Sequence, residues 1–381
     1  MMATASTTFD LADIRKRAAE RFEARGFPTT REEDWRFTNV APISKANFGV
    51  AAAKVSGHSL RAALEQCPEL IEEHLGRYAT YENNPFVALN TAHFEDGAFL
   101  HVPANTVVGE PVWVDFTATS DRATHIRNLI IVGPNSQVRI VERYTGTGRY
   151  FTNAVTEIVV GENATVEHVK LEEESLDSYH VATIQVQQAR NSNFKSHNIS
   201  LGGLLVRNDV NSVLATGCEG TVNGLYLAKG KQHVDNHTAL DHAAPHAASH
   251  ELYKGILDGA SSAVFNGKII VRKDAQKTDA KQTNKNLVLS EDASINTKPE
   301  LQILADDVRC THGATVGQLD EEALFYLRAR GIGKTDARDL LIYAFARDVI
   351  DRIGIAEIRD YLEKALFESL LHSRHLTEAA S

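Results

Sequence analysis

The sequence predicts a mainly β chain: a right-handed parallel β-helix core flanked by N-terminal and C-terminal α-helical segments. Two observations predict it. From about residue 96, short apolar strands are separated by Gly, Asn and Ser turns, and helical periodicity disappears. Within that stretch Gly133-Pro134-Asn135-Ser136-Gln137-Val138 returns as Gly161-Glu162-Asn163-Ala164-Thr165-Val166. It returns again as Ala189-Arg190-Asn191-Ser192-Asn193-Phe194 and as Gly217-Cys218-Glu219-Gly220-Thr221-Val222, at steps of 28 residues. A fixed period in the range of ~20–50 residues means stacked units, and a propeller blade needs about 40–45. Each unit here has room for strand, turn and strand but no helix, so stacked coils fit better than a propeller or a sandwich.

Looser copies end at Val264, Ile295 and Val316. In all seven copies the residue two before the apolar one is small: Ser136, Ala164, Ser192, Gly220, Ser262, Ala293 and Ala314. The pattern predicts that Val138, Val166, Phe194 and Val222 stack in one inward column. It divides the chain into a mainly helical segment 1–95, a β-helix core 96–319 and a helical region 320–381.

The flanks read as helices. Asp10 caps one that runs to about Arg25, with Gly26 past its end and Pro28 beyond. A second is expected near Leu60 to Leu75. After the core, Asp320 caps a helix with Glu321 and Glu322 in its first turn, closed by Gly331. Thr335 is expected to cap the next, to about Ile353, with Leu341, Ala344, Phe345 and Val349 on one face. A third carries Ile358, Leu362, Ala365, Leu366, Ser369 and Leu370 at helical spacing. A solenoid needs its ends covered, and these helices are expected to cap it and to dock a partner.

Composition narrows the function. The net charge of −10 argues against nucleic acid as main partner, since phosphate binding needs an excess of Lys and Arg. No apolar run approaches the ~20 residues that span a bilayer, and Met1 to Arg17 holds no signal-peptide core. The expected location is the bacterial cytosol, or a plastid stroma if a transit peptide has been removed. The three cysteines, Cys67, Cys218 and Cys310, form no C-x-x-C pair, so neither a disulfide framework nor a zinc ribbon is implied.

Three motifs invite chemistry. Gly331-Ile332-Gly333-Lys334-Thr335 looks like the end of a phosphate-binding loop, but Arg328 stands where the first glycine belongs and the segment follows a helix. It reads better as a turn. His233, His237, His242, His246 and His250 make a run that could bind a metal, or an extra strand pair that disturbs the repeat, since Val222 to Val264 spans 42 residues. Cys310 and His312, two apart, share one side of an extended segment. They are either soft ligands for iron and sulfur or a packed thiol beside a turn histidine. Cys218 falls at the repeat position matched to His312 when Val316 is aligned with Val222.

The stretch from Cys310-Thr311-His312-Gly313-Ala314-Thr315-Val316-Gly317-Gln318-Leu319-Asp320-Glu321-Glu322 to Gly331-Ile332 resembles the shared C-terminal signature of the SufB/SufD family of iron–sulfur cluster assembly proteins. Asp235-Asn236-His237-Thr238, Glu251-Leu252-Tyr253-Lys254-Gly255-Ile256 and Glu33-Asp34-Trp35-Arg36-Phe37-Thr38-Asn39 also resemble it. The SufD branch matches better, because the SufB branch is longer and carries an N-terminal cysteine cluster, whereas only Cys67 lies in the first 200 residues here. The resemblance implies a non-enzymatic β-helix scaffold that pairs with a SufB-like paralogue, with room for a homodimer when isolated. It implies a SufC-like ABC-type ATPase on the C-terminal helices, where Leu341, Phe345, Leu362 and Leu366 are the candidate contacts. It further implies that a partner cysteine meets His312, with Cys310 beside it, where a nascent cluster forms. Iron and sulfide would then pass through transiently, with no cofactor held stably by the isolated chain. The competing readings are a SufB-like cluster-bearing scaffold, a free-standing metal-binding β-helix protein using the histidine run, and a polysaccharide-active β-helix enzyme.

Overall fold

The computed structural model describes residues 10–46 and 48–378, with side chains described to residue 368. Its centre is a parallel β-solenoid of two sheets. Sheet A holds β1 (Gly49–Ala51), β2 (Phe99–Val102), β4 (Arg122–Val132), β6 (Phe151–Val160), β8 (Tyr179–Gln188), β10 (Leu205–Leu214), β12 (His233–His242), β14 (Ser262–Val271) and β16 (Ser294–Ile303). Sheet B holds β3 (Val112–Ala118), β5 (Gln137–Gly146), β7 (Thr165–Glu173), β9 (Asn193–Ser200), β11 (Glu219–Ala228), β13 (Ala248–Leu257), β15 (Asp279–Val288) and β17 (Arg309–Gly317). The chain alternates between the sheets, so each coil stacks in parallel on the one before. Inner faces of both sheets share one apolar core, in which Ile130, Ile158 and Val186 of sheet A meet Val138, Val166 and Phe194 of sheet B.

Val138, Val166 and Phe194 stack in register as expected. Val222 does not join them. It is buried, but it pairs with Ser196, while Gly220 takes the place beside Phe194. That coil is 26 residues, two short of its predecessors, and a two-residue step keeps the inward face inward. The turns explain the shift. Asn105, Asn135, Asn163 and Asn191 all sit at positive φ, between 56° and 58°, and Asn135, Asn163 and Asn191 each donate a side-chain hydrogen bond to the asparagine one coil back. Gly217, with φ 69°, succeeds Asn191; a Cβ there would lie 2.4 Å from the Asn191 Oδ1, so a side chain at this turn would have to displace the Asn191 amide.

The looser copies do not continue this column. Val264 and Ile295 belong to β14 and β16 of sheet A, and only Val316 is on sheet B. The histidine run does not interrupt the repeat: it forms β12, the turn after it and the start of β13, one complete coil.

The flanking helices do not cap the solenoid; they lie along its sides. Asp10 caps α1 (Leu11–Arg25) by accepting from the amides of Ala12 and Asp13. The helix expected over Leu60–Leu75 is two, α3 (Leu60–Gln66) and α4 (Pro68–His74), because Pro68 cannot donate to the first and starts the second. Between them and α1 lies the short α2 (Ala41–Lys45). An unforeseen helix, α5 (Pro85–His93), is buried nearly all round, and its Phe86 packs with Trp35, Phe151 and Tyr179 on the outer face of sheet A. Full burial erases the amphipathic signal by which helices are read.

Asp320 caps α6 (Glu321–Ala329), and Gly331 follows at φ 87°. Gly333, not Thr335, is the cap residue of α7 (Lys334–Ile350). The buried stripe of α7 is Ala337, Ile342, Ala346, Val349 and Ile350; of the expected face only Val349 is buried, and Ala344 is exposed. Ile342 and Val349, with Ile358, Leu362 and Leu366 of α8 (Ala356–Glu378), pack on Val141, Leu171, Ile199 and Leu225 of the outer face of sheet B. The side chains of Ser369 and Leu370 lie outside the described residues.

Candidate functional site

Because the helices lie alongside, the last coil is left open. Among the described residues β16 and β17 each pair with one neighbour only, and nearly all of β17 is exposed. Two inner-face rows of sheet B end there. One runs Val138, Val166, Phe194, Gly220, Ser249, Ala280 and Cys310. The other runs Ile140, His168, Ser196, Val222, Glu251, Gln282 and His312. Cys310 and His312 therefore do share a face, at the mouth of the solenoid. They differ in setting. Cys310 is half-buried against Ala280, Ala305 and Leu301, and burial together with Asp279 pushes its thiol up. His312 is exposed. Cys218 is not its counterpart: it precedes β11, is fully buried, and donates its thiol hydrogen to the Ala189 carbonyl at 2.9 Å. It takes the small-residue position of Ser192, whose hydroxyl lies 3.5 Å away.

One coil inside the mouth the second row turns polar. The Gln282 amide nitrogen donates to Glu251 Oε2 at 2.7 Å. Both side chains are buried, and among the described residues neither the other carboxylate oxygen of Glu251 nor the amide oxygen of Gln282 has a hydrogen-bond partner. Burial pushes the Glu251 carboxyl up to about 7, against the opposing pull of the Thr238 hydroxyl and the Gln282 amide. Deeper still lies an ionic cluster. Lys170 pairs with Glu172 and donates to Asn208 at 2.6 Å; His180 lies 3.1 Å from Glu172 and 2.7 Å from Glu174; His168 lies 3.4 Å from Glu142. Burial works against the Glu172 charge, but Lys170 and His180 hold its carboxyl down to about 2. Buried charges persist only when paired in this way.

The structure joins two stretches far apart in sequence. The Arg207 guanidinium lies 3.9 Å from the Trp35 ring centre, donates to the Asp34 carbonyl at 2.6 Å and pairs with Asp235 at 2.7 Å. Thr38 donates to the same Asp235 carboxylate, and His237 lies 3.0 Å from it. Burial opposes the Asp235 charge, yet Arg207 and His237 hold it far below the usual carboxylate range. This latch fastens the N-terminal segment to sheet A. Two adjoining concavities of about 280 and 320 Å³ flank it, lined by Asp34, His237 and Asn266.

Residues 116–345 match the model of the SUF system iron–sulfur cluster assembly SufBD core domain, and residues 2–58 and 52–114 match that of the SufBD protein N-terminal region. The chain belongs to the SufBD family. An iron–sulfur cluster assembly SufBD family protein of Synechocystis is 36% identical over 93% of this chain and 90% of its own length. The iron–sulfur cluster assembly protein SufD of Escherichia coli is 30% identical, covering 86% of each chain. The chloroplastic protein ABCI7 of Arabidopsis thaliana is 30% identical over 94% of this chain and 86% of its own. This SufBD protein is thus a SufD-like iron–sulfur assembly subunit.

The family stretch Glu251–Ile256 is one strand serving two sites. Glu251, Tyr253 and Gly255 face the interior. Leu252, Lys254 and Ile256 face α7, where the Lys254 ammonium donates to the Phe345 carbonyl at 2.9 Å, pairs with Asp348 at 2.8 Å and lies over the Phe345 ring. Of the four residues expected to meet an ATPase, Leu362 and Leu366 are buried against the chain's own sheet, and Leu341 and Phe345 are partly covered. Exposed apolar area on these helices belongs instead to Phe325, Tyr326, Leu340, Tyr361 and Phe367. The histidines of the run point apart. His242 faces inward, bonded to Ser249, and burial pulls it down to about 4; His233 bonds Thr38 and Ser262; His246 and His250 are exposed. Among the described residues no group of three His, Cys, Asp or Glu side chains is placed to hold a metal ion, and no helix is long and apolar enough to cross a membrane.

Glu251 and Gln282 were missed by the sequence reading. The signal was present: a carboxylate inside a strand whose alternation puts polar and small residues, Glu251, Tyr253 and Gly255, on the inner side.

Proposed function

We propose that this chain is a non-catalytic scaffold subunit that pairs through its open last coil with a SufB-like paralogue. At that seam His312, with Cys310 beside it, receives the iron and sulfide from which a cluster is assembled. The observation that carries this reading is the open coil itself. Two long edge strands with unpaired backbone groups are a template for another chain, and natural proteins cover such edges. The same coil exposes Ile303, Leu304 and Val316, the apolar contribution a stable contact needs.

A neutral imidazole nitrogen suits iron. The raised Cys310 thiol stays protonated at neutral pH, which favours a packing or secondary role. The C-terminal helices carry a SufC-like ABC-type ATPase through Phe325, Tyr326 and their neighbours. The contact of α7 with Lys254 supports a mechanical link, since β13 bears Lys254 on one face and Glu251 on the other.

The test is co-expression with the SufB-like and SufC-like subunits of the host. Val316→Asp with Leu304→Asp should abolish recovery of the SufB-like subunit while the melting temperature of the isolated chain barely changes. Full recovery of that subunit on the doubly substituted chain would place the contact elsewhere, and self-association of the parent abolished by the same changes would assign the edge to a second copy.

A further inference from the structure

We propose that Glu251 and Gln282 are positioning residues for His312: the carboxylate orients the Gln282 amide, and the free amide oxygen fixes one ring nitrogen of His312 as the donor, so that the other turns its lone pair toward the mouth. This rests on the seam reading of His312 and adds the device that makes its imidazole a ligand or a base rather than a donor.

The geometry supplies each part. Gln282 and His312 are register neighbours on β15 and β17, and adjacent strands lie about 4.8 Å apart, within reach of a hydrogen bond between their side chains. The Gln282 Nε2 is already committed to Glu251 at 2.7 Å. Its Oε1 is buried without a partner, which is costly unless something arrives to fill it. A Cβ on Gly267 would lie 2.1 Å from that amide nitrogen, so sheet A gives up a side chain to make room for Gln282. A buried acceptor one register step from an exposed imidazole is what a seam closed by a partner would complete.

An ionised carboxylate can only accept, so it obliges the amide to present its NH2 to Glu251 and its oxygen to His312. The imidazole must then donate from the nitrogen facing the amide, and the remaining nitrogen is unprotonated. A protonated Glu251 can donate to the amide oxygen, which lets the amide turn over and present NH2 to His312. The ring would then hold its proton on the side facing the mouth. Thr238 and Gly267 face this pair from sheet A and carry no charge; Tyr253 is the titratable group coupled to Glu251, its phenol pushed well above its usual range by burial and by that carboxylate. The switch is therefore governed by Glu251 itself, whose carboxyl lies near neutrality.

The experiment compares cluster assembly by the complete complex containing Gln282→Leu, Glu251→Gln or His312→Ala, each across pH 6 to 8. Loss of a group that orients a ligand typically costs about 10–100-fold, and that loss is expected for Gln282→Leu. Glu251→Gln should fold, bind its partners, assemble clusters more slowly than the parent above neutrality, and lose the parental rise in rate across neutral pH. If Gln282→Leu fails to fold, the pH profile of Glu251→Gln decides. Parental rates and a parental profile in folded Glu251→Gln, with His312→Ala inactive, would overturn the positioning role and leave the seam intact. A parental rate in His312→Ala would overturn both.

Discussion

The Tyr226 ring lies against Gly255 on the neighbouring coil, so closely that a Cβ on Gly255 would sit 2.3 Å from the ring carbon Cζ. The relation is reciprocal: a Cβ on Gly224 would lie 2.1 Å from the Tyr253 ring. Two tyrosines and two glycines thus interlock at the centre of sheet B, and the Tyr226 hydroxyl donates to Asn286 at 2.6 Å. Gly255→Ala is expected to destabilise by at least the ~1–3 kcal/mol typical of overpacking, because a buried ring between coils has nowhere to retreat. Denaturant unfolding checks this; a midpoint within error of the parent would show the interlock to be loose.

A second prediction concerns the join of the N-terminal segment to the solenoid. Glu157, fully buried on β6, accepts from the amides of Gly76, Tyr78 and Ala79 at 2.8–2.9 Å and pairs with Arg127 at 2.6 Å. Glu157→Gln would leave the Arg127 charge buried without its counter-ion, which costs about 3–5 kcal/mol. The expected signs are a lowered melting temperature and faster proteolysis between α3 and α5. Unchanged proteolysis would mean the segment is held by its apolar contacts alone.

Glu251 makes stability depend on pH. Its carboxyl, ordinarily near 4.5, stands at about 7 when folded. The folded chain binds this proton more tightly than the unfolded one. Its contribution is therefore complete below pH 4.5 and is lost as pH rises through 7, a loss on the order of 3 kcal/mol. Buried His242 acts in the other sense: pulled down from 6.5 to about 4, it contributes fully above pH 6.5 and loses that contribution as pH falls through 4. Glu251→Gln should equal the parent near pH 4.5 and exceed it at pH 8. A constant difference between the two chains at all pH values would show that Glu251 does not titrate in this range.

The burial of the C-terminal helices separates folding from docking. Leu366→Ala should cost about 2–5 kcal/mol, since it empties a place in the apolar layer against sheet B. Phe325→Ser with Tyr326→Ser should leave unfolding unchanged and weaken ATPase association. Removing residues from 333 onward would bare Val141, Ile199 and Leu225, so the truncated chain should aggregate rather than persist as a folded solenoid. Lys334, on the first turn of α7, should be replaceable by Ala without loss of nucleotide hydrolysis by the complex. ATPase binding that survives the Phe325 and Tyr326 changes but fails with Leu340→Ser would move the contact to α7.

These contrasts show what the residues could tell in advance. The solenoid was legible because its turns repeat: asparagine at positive φ and a small residue beside it impose the same local geometry on coil after coil. The register past Gly217 was not, because a glycine can replace the asparagine two residues early and the inward face survives the shift. Reading by Gly and Ser alone therefore aligned Val316 with Val222, where the strands align His312 with it. Helix α5 escaped for a different reason, being buried nearly all round, with Asn90 and Thr91 among its covered residues. The placement of Cys310 and His312 on one face followed from strand alternation. The partners that matter to His312 did not, since Glu251 and Gln282 lie 61 and 30 residues earlier in the chain and meet it only through the coil register.

The seam assignment rests most directly on His312. The complete complex carrying His312→Ala, purified beside the parent and a Cys310→Ala form, should be followed as clusters appear in the visible absorption on supply of iron and a sulfur donor. The expected result is normal assembly of subunits, a melting temperature close to the parent, and a large loss of cluster formation for His312→Ala with a smaller loss for Cys310→Ala. Cluster formation at the parental rate in the His312 variant, or a defect that appears only because the chain no longer folds, would contradict the assignment.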